Sequence, residues 1–170
     1  MRILKLTLLA AAGFTALSGS AFAADLLSPP PAAAPVIDNT TGWDGAYVGA
    51  FFAGQTAPNA YGLGVDLGVN TLMNGLLLGG ELEGTWYTSN AASGQITGKI
   101  GTSFGDAAIG YVYSGAGSRT ATSWYVPVGA GVEFKLANNV GLKTEAQYNF
   151  DLTNSSEDSA AVKVGLNWHF

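Results

Sequence analysis

The chain has 170 residues, of which 48% are hydrophobic and only 11% charged, with 24 glycines, no cysteine and a net charge of −5. The length suits one domain, and the missing cysteines exclude a disulfide scaffold, a thiolate metal site and a Cys nucleophile. The single His169 argues against a multi-His metal centre, and the acidic balance lacks the basic face that nucleic acid demands.

The N-terminus reads as a secretory signal peptide over residues 1–23. Arg2 and Lys5 form a positive n-region, Leu6 to Leu17 an apolar core, and Ala21-Phe22-Ala23 a small-residue cleavage site, so Ala24 is the expected mature N-terminus. Cleavage removes two basic residues and leaves five basic against twelve acidic side chains. A linker follows over residues 24–42, where Pro29-Pro30-Pro31 and Pro35 lie in an Ala-rich stretch that favours extended, solvated chain.

From Trp43 the pattern has period two, the signature of strands. The first strand sets Val48, Ala50 and Phe52 against Tyr47, Gly49 and Phe51. The second sets Tyr61, Leu63, Val65, Leu67 and Val69 against Gly62, Gly64, Asp66 and Gly68. The third places Leu76, Leu78, Leu82 and Trp86 opposite Glu81, Glu83 and Thr85; the fourth, Ile96, Ile100 and Phe104 opposite Gln95, Thr97, Lys99 and Ser103. In the fifth, Ile109, Tyr111 and Tyr113 form the apolar face against small residues. The sixth alternates Trp124 through Leu136 with Tyr125 through Lys135. The last two set Val140, Leu142, Ala146, Tyr148 and Phe150 against Lys143, Glu145, Gln147 and Asn149, and Val162 through Phe170 against Lys163, Gly165, Asn167 and His169. Eight strands of about 9–11 residues match the need of a tilted spanning strand.

Tight turns are expected at Asn70 to Gly75, Gly105-Asp106 and Ala137-Asn138-Asn139, and short polar loops near Gln55–Ala60, Thr88–Ala92, Gly115–Ser123 and Asp151–Asp158. No stretch beyond the leader approaches the roughly 20 apolar residues of a spanning helix. The apolar face is expected to meet lipid, because the polar face is crowded with glycine and aromatics cluster at strand ends. One girdle comprises Phe52, Tyr61, Trp86, Tyr113, Trp124 and Tyr148; the other comprises Phe104, Phe134, Trp168 and Phe170. The fold expected is therefore all-β: an eight-stranded antiparallel up-and-down transmembrane barrel over residues 43–170.

Lys99, Lys135, Lys143 and Lys163 all fall on the polar face with Glu81, Glu83, Glu133 and Glu145. Centring each hairpin on its connection pairs Glu81 with Lys99, Glu133 with Lys143 and Glu145 with Lys163. Opposite charges across a ladder are favourable, and an isolated buried charge is very costly. These pairs are expected to plug an interior just wide enough for side chains.

Trp43-Asp44-Gly45-Ala46-Tyr47-Val48-Gly49, opening a barrel after an exported Pro/Ala-rich tether, resembles the Omp25/Omp31-like small outer membrane proteins of alphaproteobacteria. So do Leu78-Gly79-Gly80-Glu81, Gly98-Lys99-Ile100-Gly101, Val128-Gly129-Ala130-Gly131-Val132-Glu133 and Lys143-Thr144-Glu145. The resemblance implies a surface barrel of the bacterial outer membrane that contributes to envelope integrity and is often labelled porin-like. Its implied partners are outer membrane lipids and lipopolysaccharide, with periplasmic chaperones and the barrel-assembly machinery during biogenesis. Trp168 and Phe170 look like the assembly signal. The outer loops are shorter than is usual in that family.

An enzyme built on such a barrel needs His with Ser or Asp at the outer rim. His169 stands beside the C-terminus, at the opposite rim. The reading is thus a non-enzymatic structural barrel, monomeric or weakly oligomeric, without cofactor, metal or nucleic-acid partner; the alternative is a narrow pore through the same bore.

Overall fold

The structure, a computed structural model, describes residues 42–56, 59–89, 91–120, 123–153 and 158–170. The expected leader, its cleavage at Ala23–Ala24 and the linker up to Thr41 lie outside the described residues. The alternating segments form eight strands: β1 (Gly45–Thr56), β2 (Asn59–Met73), β3 (Leu76–Tyr87), β4 (Ala92–Phe104), β5 (Ala108–Arg119), β6 (Ser123–Ala137), β7 (Val140–Asp151) and β8 (Ser159–His169). Each pairs antiparallel with the next, and β8 returns to β1 from Tyr47↔His169 to Gln55↔Ala161. The sheet is a closed barrel with no edge strand to protect. An even strand number puts the start of β1 and the end of β8 at one end, together with the β2–β3, β4–β5 and β6–β7 turns. That is the turn end; the other is the loop end.

Seven of the eight strands are longer than the expected 9–11 residues, reaching 15 in β2 and β6, while β8 has 11. The extra length comes out of segments that composition assigned to connections. Asn70 to Met73 continue β2, leaving only Asn74-Gly75 as the turn, and most of Gly115–Ser123 belongs to β5. Glycine, serine and asparagine weaken an isolated strand, but here Asn70, Gly117 and Ser118 are held by ladders on both sides. Ala137 likewise lies in β6, with a register irregularity between Lys135 and Ala137. Pro127, buried in β6, lacks an N–H, and the β5–β6 ladder skips it between Ser114↔Val128 and Gly117↔Tyr125 without losing register.

The Asn74-Gly75 turn has φ of 53° and 84°, the two positive values that a right-twisted two-residue hairpin requires. Gly75→Ala is expected to cost about 1–2 kcal/mol, since a Cβ in that region is strained. Nothing lies within 4 Å of such a Cβ, so the loss isolates backbone strain. Urea unfolding of the vesicle-embedded barrel measures it.

Side chains sort by parity. Leu63, Val65, Leu67, Ile96, Val162 and Leu166 face outward and are exposed, whereas Asp66, Glu81, Lys99, Lys143, Glu145 and Lys163 are buried inside. Strand β1 follows the expected parity, with Tyr47, Gly49 and Phe51 inward. Strand β5 does not. Ile109, Tyr111 and Tyr113 point into the bore and Val112 points out, so Tyr113 leaves the expected girdle. The reason is space and hydrogen bonding. Tyr111 and Tyr113 lie beside Gly131 and Gly129 of β6, where a Cβ would collide with their rings, and their hydroxyls reach acceptors inside. The other nine girdle aromatics are exposed as expected.

Candidate functional site: the barrel interior

The interior is a stack of three side-chain layers. At the turn end, Trp43 precedes β1 and is fully buried, in one hydrophobic cluster with Leu72, Leu77 and Ile109 that extends along β5 to Tyr111 and Tyr113. Its ring meets His169 edge-on at 5.3 Å, and the Lys135 ammonium lies 4.9 Å from it. The Trp43 segment is held by Asp44, whose Oδ1 accepts the Leu72 N–H at 2.5 Å. His169 Nε2 faces Glu133 Oε1 at 2.7 Å, and Asn167 Nδ2 donates to Glu133 Oε2 at 2.9 Å.

The middle layer carries the charges. Lys143 Nζ, fully buried, donates to Asp66 Oδ2 at 2.5 Å and to Glu81 Oε2 at 3.3 Å. Lys99 Nζ donates to Glu81 Oε2 at 2.7 Å. Lys163 Nζ donates to both Glu83 oxygens, at 2.7 and 2.6 Å. Glu145 lies 3.7, 4.0 and 3.8 Å from Lys99, Lys143 and Lys163, and accepts the Tyr111 hydroxyl at 2.8 Å. Tyr47 donates to Glu81 at 2.8 Å. Glu81, Glu83 and Glu145 bring carboxylate oxygens within 4.8 Å of one another, each already engaged by a lysine.

Toward the loop end the layer is built of amides, and the Lys163 ammonium reaches up to donate to Gln147 Oε1 at 2.8 Å. Gln95 and Gln147 exchange amide hydrogen bonds at 3.1 and 3.2 Å, with Tyr113, Tyr125, Asn149 and Ser159 around them. Arg119 closes the group by donating to Ser159 at 2.6 Å.

Most of these bonds join strands that are not ladder neighbours. Lys143 on β7 and Glu81 on β3 stand on opposite sides of the barrel, and Gln95–Gln147, Lys163–Glu83 and Lys143–Asp66 each cross three strands.

The expected pairs are partly realised. Glu133 and Lys143 are directly opposed in the β6–β7 ladder, as are Glu145 and Lys163 in β7–β8. Their short bonds go elsewhere: Lys143 to Asp66, Lys163 to Glu83, and Glu133 to His169 and Asn167. Glu81 opposes Thr97, while Lys99 opposes Gly79, a register two residues from that expected. Lys99 nevertheless reaches Glu81 diagonally, because a long flexible side chain spans that offset. Across a narrow bore, distance through the interior is as short as distance along the ladder, so adjacency does not decide the partner.

Outside, the described strands carry no charged side chain on the lipid-facing parity, and apolar residues dominate. A lysine or arginine there would cost about 2–4 kcal/mol at the bilayer midplane. This is the inverse of a soluble barrel, apolar outside and charged within. Phe52, Tyr61, Trp86, Trp124 and Tyr148 ring the loop end; Phe104, Phe134, Trp168 and Phe170 ring the turn end.

Neither a protein-family model nor a curated protein matches the sequence. Among solved structures the chain is similar to a designed transmembrane β-barrel, at 17% identity and a TM-score of 0.60 over 74% of this chain and 95% of that one. It is similar to the outer membrane protein Ail of Yersinia pestis, at 12% identity and a TM-score of 0.54 over 75% and 99%. It is likewise similar to the outer membrane enzyme PagL, at 12% identity and a TM-score of 0.53 over 73% and 99%. The fold is that of the small bacterial outer membrane barrels: eight antiparallel strands, closed, with a lipid-compatible exterior.

Proposed function

We propose that the protein is a structural barrel of the bacterial outer membrane, contributing to envelope integrity and surface exposure, with its bore closed by its own side chains. One observation carries the reading: hydrogen bonds and ion pairs cross the interior between non-adjacent strands at two levels, above a buried Trp43. Placement in the outer membrane is supported by the apolar exterior and by the fold. Membership of the Omp25/Omp31-like group is supported by the order of the short motifs, and the seat of Trp43 and Asp44 at the turn end gives the opening motif a physical purpose.

The partners proposed are lipid and lipopolysaccharide around the apolar belt, and the assembly machinery reading Trp168 and Phe170, both outward and exposed. No enzymatic activity is proposed: the only histidine is engaged by Glu133 and packed under Trp43, away from the loop end. The second reading, a narrow pore, draws support from the polar lining that runs along β7 through Asp151, Asn149, Gln147, Glu145 and Lys143.

Single-channel recording in planar bilayers separates the two. The parent protein is expected to be silent, and Lys99→Ala with Lys143→Ala to leak. Steady conductance in the parent, altered by the same double variant, would overturn the closed-bore reading in favour of the pore.

A further inference from the structure

Gly49 on β1 is flanked by Asp66 on β2 and Asn167 on β8, each its direct ladder partner. Because Gly49 has no side chain, Asp66 Oδ1 and Asn167 Oδ1 both lean over it; a Cβ there would collide with the two oxygens. Asp66 is 2% exposed and Asn167 1%, and neither Oδ1 accepts a hydrogen bond among the described residues. The remaining polar atoms of both side chains are committed. Asp66 Oδ2 accepts from Lys143, and Asn167 Nδ2 donates to Glu133, which leaves the two Oδ1 atoms over Gly49. Two buried acceptors converging without a donor carry a double desolvation cost.

The charges around them point the same way. Asp66, Glu81, Glu83 and Glu145 meet only Lys99, Lys143 and Lys163 in the middle layer, while Glu133 is taken by His169 and Asn167. With these four carboxyls ionised against three ammoniums, the middle layer carries one negative charge in excess among the described residues. We propose that Asp66 holds a proton in the folded barrel and donates it from Oδ1 to Asn167 Oδ1 across Gly49.

A single proton supplies the missing donor and balances the layer. The other carboxyls are poorer seats for it. Both oxygens of Glu83 face Lys163, Glu81 is bonded to two lysines and to Tyr47, and Glu145 lies within 4.0 Å of three ammoniums. Glu145 Oε2 is also without a hydrogen bond, but it faces the Lys163 ammonium at 3.8 Å, whereas the free oxygen of Asp66 shares the space over Gly49 with a neutral acceptor. Lys143 keeps its bond, since the carbonyl oxygen of a carboxylic acid still accepts.

Infrared spectroscopy of the vesicle-embedded barrel at pH 7 tests this. The expected result is a protonated-carboxyl C=O band that is lost in Asp66→Asn and moves to higher frequency in Asn167→Ala, where the acceptor is gone. Asp66→Asn is neutral and carries its own donor, so its urea midpoint should stay at the parent's value, whereas Glu81→Gln should lower it. Absence of the band at pH 7 overturns the proposal, because an ordered water would then be the donor. So does a band that survives Asp66→Asn, or a midpoint for Asp66→Asn as low as that of Glu81→Gln.

Discussion

Lys143→Ala is expected to destabilise the barrel by about 3–5 kcal/mol, the loss that follows removal of one partner from a buried ion pair. Lys143 is fully buried and lies against Asp66, Glu81 and Glu145 on two different strands and its own. Without it, Glu81 and Glu145 keep only Lys99 and the more distant Lys163 among the described residues, and buried carboxylates are left facing one another. Urea unfolding in lipid vesicles, followed by tryptophan fluorescence, reads the loss directly. Adding Glu81→Gln should recover part of it, since the carboxylate that Lys143 neutralised is then gone, and the two changes will not add. A loss below about 1 kcal/mol, the scale of an exposed ion pair, would show instead that the bore is as wet as a surface.

Gly64→Ala is expected to cost about 1–3 kcal/mol, the price of overpacking a filled core. Three ring carbons of Phe51, directly across the β1–β2 ladder, occupy the place of the new methyl group. Phe51 is 3% exposed and cannot swing freely, since the ammoniums of Lys143 and Lys163 lie 5.3 and 5.5 Å from its ring. Gly98→Ala is the control: Gly98 faces outward with nothing within 4 Å of a Cβ, and its effect should stay within about 0.5 kcal/mol. Phe51→Leu in the Gly64→Ala background should restore part of the loss. Equal effects of the two glycine changes would mean that strand propensity, not space in the bore, sets the requirement.

The barrel was readable in the sequence because period two fixes which face of each strand is which. For β2, β7 and β8 that alternation is clean, and every assigned side chain stands where parity puts it. Strand β5 defeated it because tyrosine belongs to either environment: an aromatic body suits lipid, and a hydroxyl suits an acceptor inside. The deciding signal lay in the neighbouring strand, where Gly129 and Gly131 sit on the inward parity and leave room for two rings. The same pairing of ring and glycine recurs at Tyr47 with Gly68, Phe51 with Gly64, and Tyr125 with Gly117.

The charge network was half legible. Parity identified which residues enter the bore, Asp66 included, and hairpin symmetry identified two of the three opposed pairs. It could not identify bonding partners, because those are chosen across the interior between strands far apart in the chain. Lys163 reaches Glu83 over 80 positions of sequence, and Gln95 reaches Gln147 over 52. Trp43 was visible only as part of an opening motif; its role as the floor of the interior depends on Asp44 tying that segment to β2.

The seam between β1 and β8 joins residues on the order of a hundred positions apart, a loop-closure cost that must be met before any of its contacts give a return. Until it forms, the nascent sheet has two open margins. It also lacks Lys163, Asn167 and His169, the groups on β8 that satisfy Glu83 and Glu133. Closure of the ring and neutralisation of those carboxylates are therefore a single event. A partly assembled sheet would carry unpaired backbone and uncompensated charge together, so folding should be strongly all-or-none, with the arrival of the final strand as its committing step.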